Sequence, residues 1–137
     1  MRFVADTSAL IHAWRAGDNQ RRALAQRVQD GQLAIIEPVR LEVLRGAASP
    51  SDAQRLLAWF GGPNRFAVGG DDWTQAERTV IRLARLKGGQ HRGLAVTDLL
   101  VAAVAYGAGL PVLHRDRDFD LIASVTGQPV RWFGAPA

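Results

Sequence analysis

Short apolar runs alternate along this chain with longer stretches in which apolar residues recur at helical spacing. The short runs are residues 2–5 (RFVA), 33–36 (LAII), 65–68 (RFAV), 111–114 (PVLH) and 130–132 (VRW), each the length of a strand. Between them the pattern predicts helices from about Thr7 to Arg15, Asn19 to Asp30, 38–47, 51–60 and 72–87, and a last short one ending near Ser124. Gly31 stops the second helix, Ser49-Pro50 separates the third from the fourth, and Gly88-Gly89 ends the fifth. One segment differs. "TDLLVAAVAYGAG" at 97–109 is apolar almost all round, which marks a helix buried in the core.

Short apolar strands separated by helices imply right-handed crossovers and a parallel sheet covered on both faces. The expected class is α/β: a three-layer α/β/α sandwich with a short, mostly parallel central sheet. The chain shows no repeat, low-complexity tract or linker, so residues 1–137 are expected to form one domain. In such sheets ligands bind outside the carboxyl ends of the strands, so the residues following each strand matter most.

Acids stand at those places. Asp6 follows the first strand, Glu37 and then Glu42 the second, and Asp116 the run "PVLH"; Thr97-Asp98 opens the apolar helix. Carboxylates beside apolar segments are costly unless compensated. Each has a bland role: Asp6 as N-cap of the first helix, Thr97 or Asp98 of the apolar helix, Asp116 and Asp118 of the helix near Phe119. Glu42 fits that role poorly, since it lies mid-helix among Val39, Leu41, Val43 and Leu44; its alternative is a salt bridge to Arg40 or Arg45. Taken together, Asp6, Asp98 and Asp116 converge on one end of the sheet if their strands are neighbours, with Glu42 approaching from the adjacent helix. Like charges that close call for a multivalent cation. A ligand set made only of oxygen selects a hard ion such as Mg²⁺ or Mn²⁺.

Composition narrows the setting. The absence of cysteine excludes disulfides and zinc–thiolate sites. Apolar residues at 47% and charged ones at 22% describe an ordinary globular chain. With no signal peptide and no apolar run long enough to span a bilayer, a cytoplasmic location without membrane contact is expected. The net charge is +4, and all 17 basic residues except Lys87 are arginine. Arginine's planar fork suits phosphates and base edges, so a nucleic-acid partner is favoured. A GC-rich coding sequence accounts for the choice of arginine over lysine but not for the net excess.

Four segments in order carry a resemblance: "FVADTSALI" at 3–11, "EPVRLEVLRG" at 37–46, "AVTDLLVAAVA" at 95–105 and "VLHRDRDFDLIA" at 112–123. The chain resembles the PIN-domain ribonucleases, and specifically the VapC toxins of bacterial VapBC toxin–antitoxin pairs. The resemblance implies that Asp6, Glu42, Asp98 and Asp116 form the family's acidic quartet, catalytic and holding one or two Mg²⁺ or Mn²⁺ ions. Asp118 matches a frequent fifth acid, a further metal ligand in some members. Thr7 and Ser8 match the hydroxyl pair that supports the site. One position departs from the pattern: His114 stands where Thr or Ser is common. As a supporting residue it can donate to a carboxylate or contact RNA phosphate; the alternative is an ordinary histidine at a strand end.

The implied chemistry is endonucleolytic hydrolysis of an RNA phosphodiester, in tRNA or rRNA. The metal lowers the pKa of a water and stabilises phosphoryl charge, two ions being suited to a spacing of about 3.5–4 Å. No His, Ser or Cys nucleophile is needed. For RNA contact the candidates are Arg115 and Arg117 beside the acids, and Arg78, Arg82 and Arg85, a basic stripe on one helix face that Lys87, His91 and Arg92 continue. Trp14, Trp59, Trp73 and Trp132 suit packing. By resemblance, the helices of Trp14 and Trp59 form the groove that holds a VapB-type antitoxin's C-terminal segment. The resemblance also implies a homodimer, and a heterotetramer or larger assembly with the antitoxin.

Two other classes compete. A catalytically silent PIN-fold binding module would act with its partner at an operator; the intact quartet speaks against it. A receiver-like signalling domain would want adjacent acids after the first strand, where Ala5 precedes Asp6.

Overall fold

Runs such as Leu33–Ile36 are buried along their whole length, which is what a parallel strand covered on both faces requires. The structure, a computed structural model, describes residues 1–61 and 65–134. In chain order the elements are β1 (Phe3–Ala5), α1 (Thr7–Arg15), α2 (Asp18–Gln29), β2 (Leu33–Ile36), α3 (Glu37–Arg45), α4 (Pro50–Phe60) and β3 (Arg65–Phe66). There follow α5 (Gly70–Ala84), a 3-10 turn (Gln90–Gly93), α6 (Val96–Ala108), β4 (Val112–His114), α7 (Asp118–Thr126) and β5 (Val130–Trp132).

The sheet order is β3-β2-β1-β4-β5, and every pairing among the described strands is parallel. The chain runs from β1 outward to β3, then crosses back past β1 to β4 and β5. Helices α1 to α4 pack among themselves and α5 to α7 among themselves, giving the three-layer arrangement the sequence implied. The direction of winding reverses between β1 and β4, and a crevice opens at their carboxyl ends.

Local chemistry explains most boundaries. Ser49 caps α4: its hydroxyl accepts the Asp52 N–H at 3.1 Å, and Pro50 takes the first helical position, where its missing N–H does no harm. The fifth helix starts earlier than expected, at Gly70, because the Asp72 carboxylate accepts the Gly69 N–H at 2.9 Å. It also ends earlier, at Ala84, ahead of Gly88 and Gly89 in the left-handed region. "RFAV" yields only two strand residues, and the turn at Gln90–Gly93 had no apolar period to announce it.

Residues 98–105 of α6 are all buried, as an all-round apolar helix demands. Phe60, Phe119, Leu10, Leu24, Ile35, Ile36 and Ile122 fill the two layers around the sheet. At the opposite end from the crevice, buried Gln128 donates to the carbonyls of Leu110 (2.6 Å) and Pro129 (3.0 Å), tying the entries of β4 and β5. Among the described residues no helix is long and apolar enough to cross a membrane.

Ile35→Ala is expected to destabilise the protein by about 2–5 kcal/mol, because Ile35 is buried in β2 and its removal leaves a cavity. Leu41→Ala, at a position 68% exposed, should stay within about 0.5 kcal/mol of wild type. Urea unfolding of both variants checks the pair.

Candidate metal centre

The Asp6 N–H donates to the Leu113 carbonyl at 2.9 Å, which sets the end of β1 against the end of β4. Asp6 is 2% exposed. Its Oδ2 accepts from the Ser8 N–H at 3.0 Å and the Ser8 hydroxyl at 2.6 Å, so it does cap α1. Its Oδ1 is buried with no hydrogen-bond partner. The capping role thus occupies one oxygen and leaves the other free. Ser8 Oγ in turn accepts the Arg115 N–H at 2.8 Å, joining α1 to the loop after β4.

That loop supplies two more acids. Asp116 Oδ1 accepts the Asp118 N–H at 2.9 Å, closing the turn into α7. Asp98 enters from α6, whose N-cap is Ala95; neither Thr97 nor Asp98 caps it, and Asp98 sits in the first turn, 8% exposed. Oxygens of Asp98, Asp116 and Asp118 all lie within 4.8 Å of one another. The tight group therefore includes Asp118, which the resemblance ranks only as a frequent fifth acid, and does not include Asp6.

Electrostatics tie the remaining acids to this group. Burial pushes the Asp98 carboxyl from 3.8 up to about 8, with the charges of Asp6, Asp116, Asp118 and Glu42 adding to the rise. Burial also raises Asp6, against the Ser8 hydrogen bonds that favour its charged form, and the Asp116 charge raises it further. Asp118 rises through burial and the Asp116 charge. The physical cause is the same throughout: carboxylates gathered where water is scarce.

Glu42 has a partner, and it is neither of the arginines the sequence offered. Its Oε1 accepts the Thr7 hydroxyl at 2.7 Å. Arg40 lies over the Phe60 ring at 5.2 Å, since residues two apart on a helix point to nearly opposite sides. Glu37 is exposed and pairs with Arg65 at 3.5 Å, apart from the group.

His114 corrects a further expectation. It is fully buried, so it reaches no RNA phosphate, and it donates to no carboxylate. Its Nδ1 accepts the Asp116 N–H at 3.1 Å, while burial lowers its pKa and favours the neutral ring. Arg115 is also committed elsewhere: its guanidinium donates to the Phe133 carbonyl at 2.9 Å and lies 5.6 Å from the Trp132 ring centre. Arg117 is exposed at the start of α7. Arg78, Arg82 and Arg85 are exposed and line a groove with Gln75, Ile81 and Tyr106, which none of the acids joins.

Trp14 and Trp59 pack at 5.2 Å between ring centres, and the Trp59 Nε1–H donates to the Arg21 carbonyl at 2.6 Å. Arg21 and Arg55 lie over the Trp14 ring at 4.1 and 5.4 Å. Trp73 is exposed, and Trp132 packs against His114.

An oxygen-only donor set, a buried carboxylate oxygen without a partner and mutually raised pKa values together fit a hard divalent cation. The family model for the PIN domain matches residues 3–125, a span that contains all five acids. The chain belongs to the PIN-domain family. This PIN domain is 39% identical over 132 residues to Ribonuclease VapC18 of Mycobacterium tuberculosis, covering 96% of this chain and 95% of that protein. It is 33% identical over 133 residues to Ribonuclease VapC51 of the same organism, covering 96% and 93%. Its fold is similar to that in the crystal structure of VapBC2 from Rickettsia felis bound to a DNA fragment from their promoter. The TM-score is 0.73 at 14% identity, over 98% of this PIN chain and 100% of that one.

A carboxyl raised from 3.8 to about 8 holds a proton in the folded state that the unfolded chain has released. In that window the folded state binds more protons, so stability falls as pH rises, by at most about 1.4 kcal/mol per unit for one group. In chelator, the urea midpoint of wild type is expected to be lower at pH 8.5 than at pH 7, with the slope reduced in Asp98→Asn. A wild-type midpoint that climbs across this interval would contradict the raised carboxyl.

Proposed function

We propose that this chain, residues 1–137 acting as one PIN unit, is a VapC-type endoribonuclease toxin that hydrolyses RNA phosphodiester bonds and is restrained by a cognate VapB-type antitoxin. The observation that carries the reading is the group of acids at the β1/β4 crevice, none of which is paired with a basic side chain among the described residues. The ribonuclease names of relatives at 39% and 33% identity, aligned over nearly the whole chain, support it.

Asp98, Asp116 and Asp118, with the free Oδ1 of Asp6, would hold Mg²⁺ or Mn²⁺. Bound there, such an ion supplies the Lewis acidity that lowers a water's pKa and offsets charge developing on the phosphoryl oxygens. The chain's own residues prepare for this. Ser8 fixes the rotation of the Asp6 carboxylate through two hydrogen bonds, leaving its second oxygen in place. Thr7 holds one oxygen of Glu42, so the other is available to orient a water at the rim of the group. Arg117, with Arg78, Arg82 and Arg85 further off, offers exposed positive charge to a phosphate backbone. Arg115 supports the loop rather than the substrate. The substrate class is tRNA or rRNA, which places the activity in the cytoplasm. The Trp14–Trp59 cluster between α1 and α4 is the surface assigned to the antitoxin, and the assembly is a homodimer that pairs with it.

With total RNA and Mg²⁺ or Mn²⁺, wild type is expected to cleave, while chelator, Asp6→Asn and Asp98→Asn each bring cleavage to background. Cleavage that survives chelation, or survives both substitutions, would sink the metal-dependent reading. Wild type that cleaves nothing in total RNA would favour the silent binding module. Thr7→Val should lower the cleavage rate roughly 10- to 100-fold by releasing Glu42, with little change in thermal midpoint. An unchanged rate would remove Glu42's assigned role.

A further inference from the structure

The loop carrying Asp116 and Asp118 is tied down by side chains at three backbone N–H groups. The Arg115 N–H goes to Ser8 Oγ (2.8 Å), the Asp116 N–H to His114 Nδ1 (3.1 Å) and the Asp118 N–H to Asp116 Oδ1 (2.9 Å). Hydroxyls and carboxylates commonly hold such turns. The middle partner is an imidazole, which is unusual, and its surroundings show what it is held for.

His114 ends β4 with no exposed surface. Its ring lies between Phe119, at 5.0 Å, and Trp132, at 5.3 Å between ring centres. Its carbonyl accepts the Phe133 N–H at 2.7 Å, which fixes the backbone from which the ring projects. Close packing on two sides leaves the ring little freedom to swing Nδ1 away. Because Nδ1 accepts a hydrogen bond, the neutral ring carries its proton on Nε2. Nε2 is buried and has no partner. A buried donor left unmade is unfavourable, so nothing on the Nε2 side recruits the ring to this place. Its one polar contact is the bond to Asp116.

We propose that His114 is the positioning residue for Asp116: its Nδ1 anchors the Asp116 N–H and so turns that carboxylate toward Asp98 and Asp118. The assignment rests on the metal-site reading above. His114 touches neither substrate nor ion and acts only through Asp116. Two substitutions separate this role from simple packing. His114→Asn keeps an acceptor near the place of Nδ1 but leaves part of the aromatic slot empty. His114→Phe fills the slot and offers no acceptor.

Mn²⁺ affinity is measured by calorimetry, thermal midpoint on the chelated protein, and exchange of the Asp116 amide proton by NMR. His114→Phe is expected to bind Mn²⁺ roughly tenfold or more weakly, with an unprotected Asp116 amide, while keeping the higher thermal midpoint of the two variants. His114→Asn should bind Mn²⁺ nearly as wild type does despite its lower midpoint. Equal Mn²⁺ affinity in His114→Phe and wild type overturns the assignment, as does a loss in both variants that simply follows their loss of thermal stability. In wild type, ¹⁵N shifts should show the Nε2–H tautomer, and the opposite tautomer overturns the assignment without any variant. Wild type that binds no Mn²⁺ overturns the metal reading itself and this role with it.

Discussion

Three carboxylates, Asp98, Asp116 and Asp118, gather at the carboxyl ends of β1 and β4 within reach of the charges of Asp6 and Glu42, and their mutual repulsion is the constraint on which the rest of this structure turns. A basic chain has the means to neutralise them, yet the ion pairs among its described residues are Arg21–Asp18 and Arg65–Glu37, both outside the crevice. The acids are held by hydrogen bonds instead. Ser8 restrains Asp6, Thr7 restrains Glu42, and Asp116 takes up the Asp118 N–H. Neutral donors fix where Asp6, Glu42 and Asp116 point without cancelling their charge, so the negative potential remains available to a cation.

Helix starts make this arrangement tolerable. Asp6 is the N-cap of α1, Asp98 lies in the first turn of α6, and Asp118 begins α7. Unsatisfied N–H groups and the positive end of the helix dipole favour carboxylates at those positions. Capping and metal binding therefore do not compete as explanations for the same residue. Asp6 performs the first with Oδ2 and, under the proposed activity, keeps Oδ1 for the second.

Much of this could be read before any coordinates. Leu33–Ile36 is a strand at the very residues its apolar run delimits, because a strand covered on both faces admits little else; Val130–Trp132 also keeps the bounds of its run, as an edge strand with Arg131 exposed. The acids announce themselves by standing where those runs end. What could not be read are partners fixed by tertiary placement. Thr7 meets Glu42 across 35 positions and Ser8 meets Arg115 across 107, distances over which no local pattern speaks. The place of Asp118 is hidden for a similar reason. Its spacing from Asp116 suits a cap, and only the approach of α6 brings Asp98 to both. His114 looked like a departure from the family pattern. A serine or threonine hydroxyl there can accept the N–H two residues on, and so can an imidazole Nδ1, which also fills the space between Phe119 and Trp132.

The arginines bear on how charge is deployed. Arg21, Arg40 and Arg115, none of them fully exposed, lie over Trp14, Phe60 and Trp132, so their cations face aromatic rings within the fold. Net charge therefore overstates the positive surface offered to a polyanion. The crevice itself is negative, and the like charges that add to burial in raising the Asp98 pKa would oppose a phosphate for the same reason they oppose one another. Under the proposed activity, cation and RNA must then bind with positive coupling, each improving the site for the other, as linkage requires of two ligands that share one electrostatic field. The hydrogen-bonded placement of Asp6, Glu42 and Asp116 is what makes that coupling strong. Carboxylates free to turn toward solvent would relax their repulsion alone and leave less for the cation to relieve.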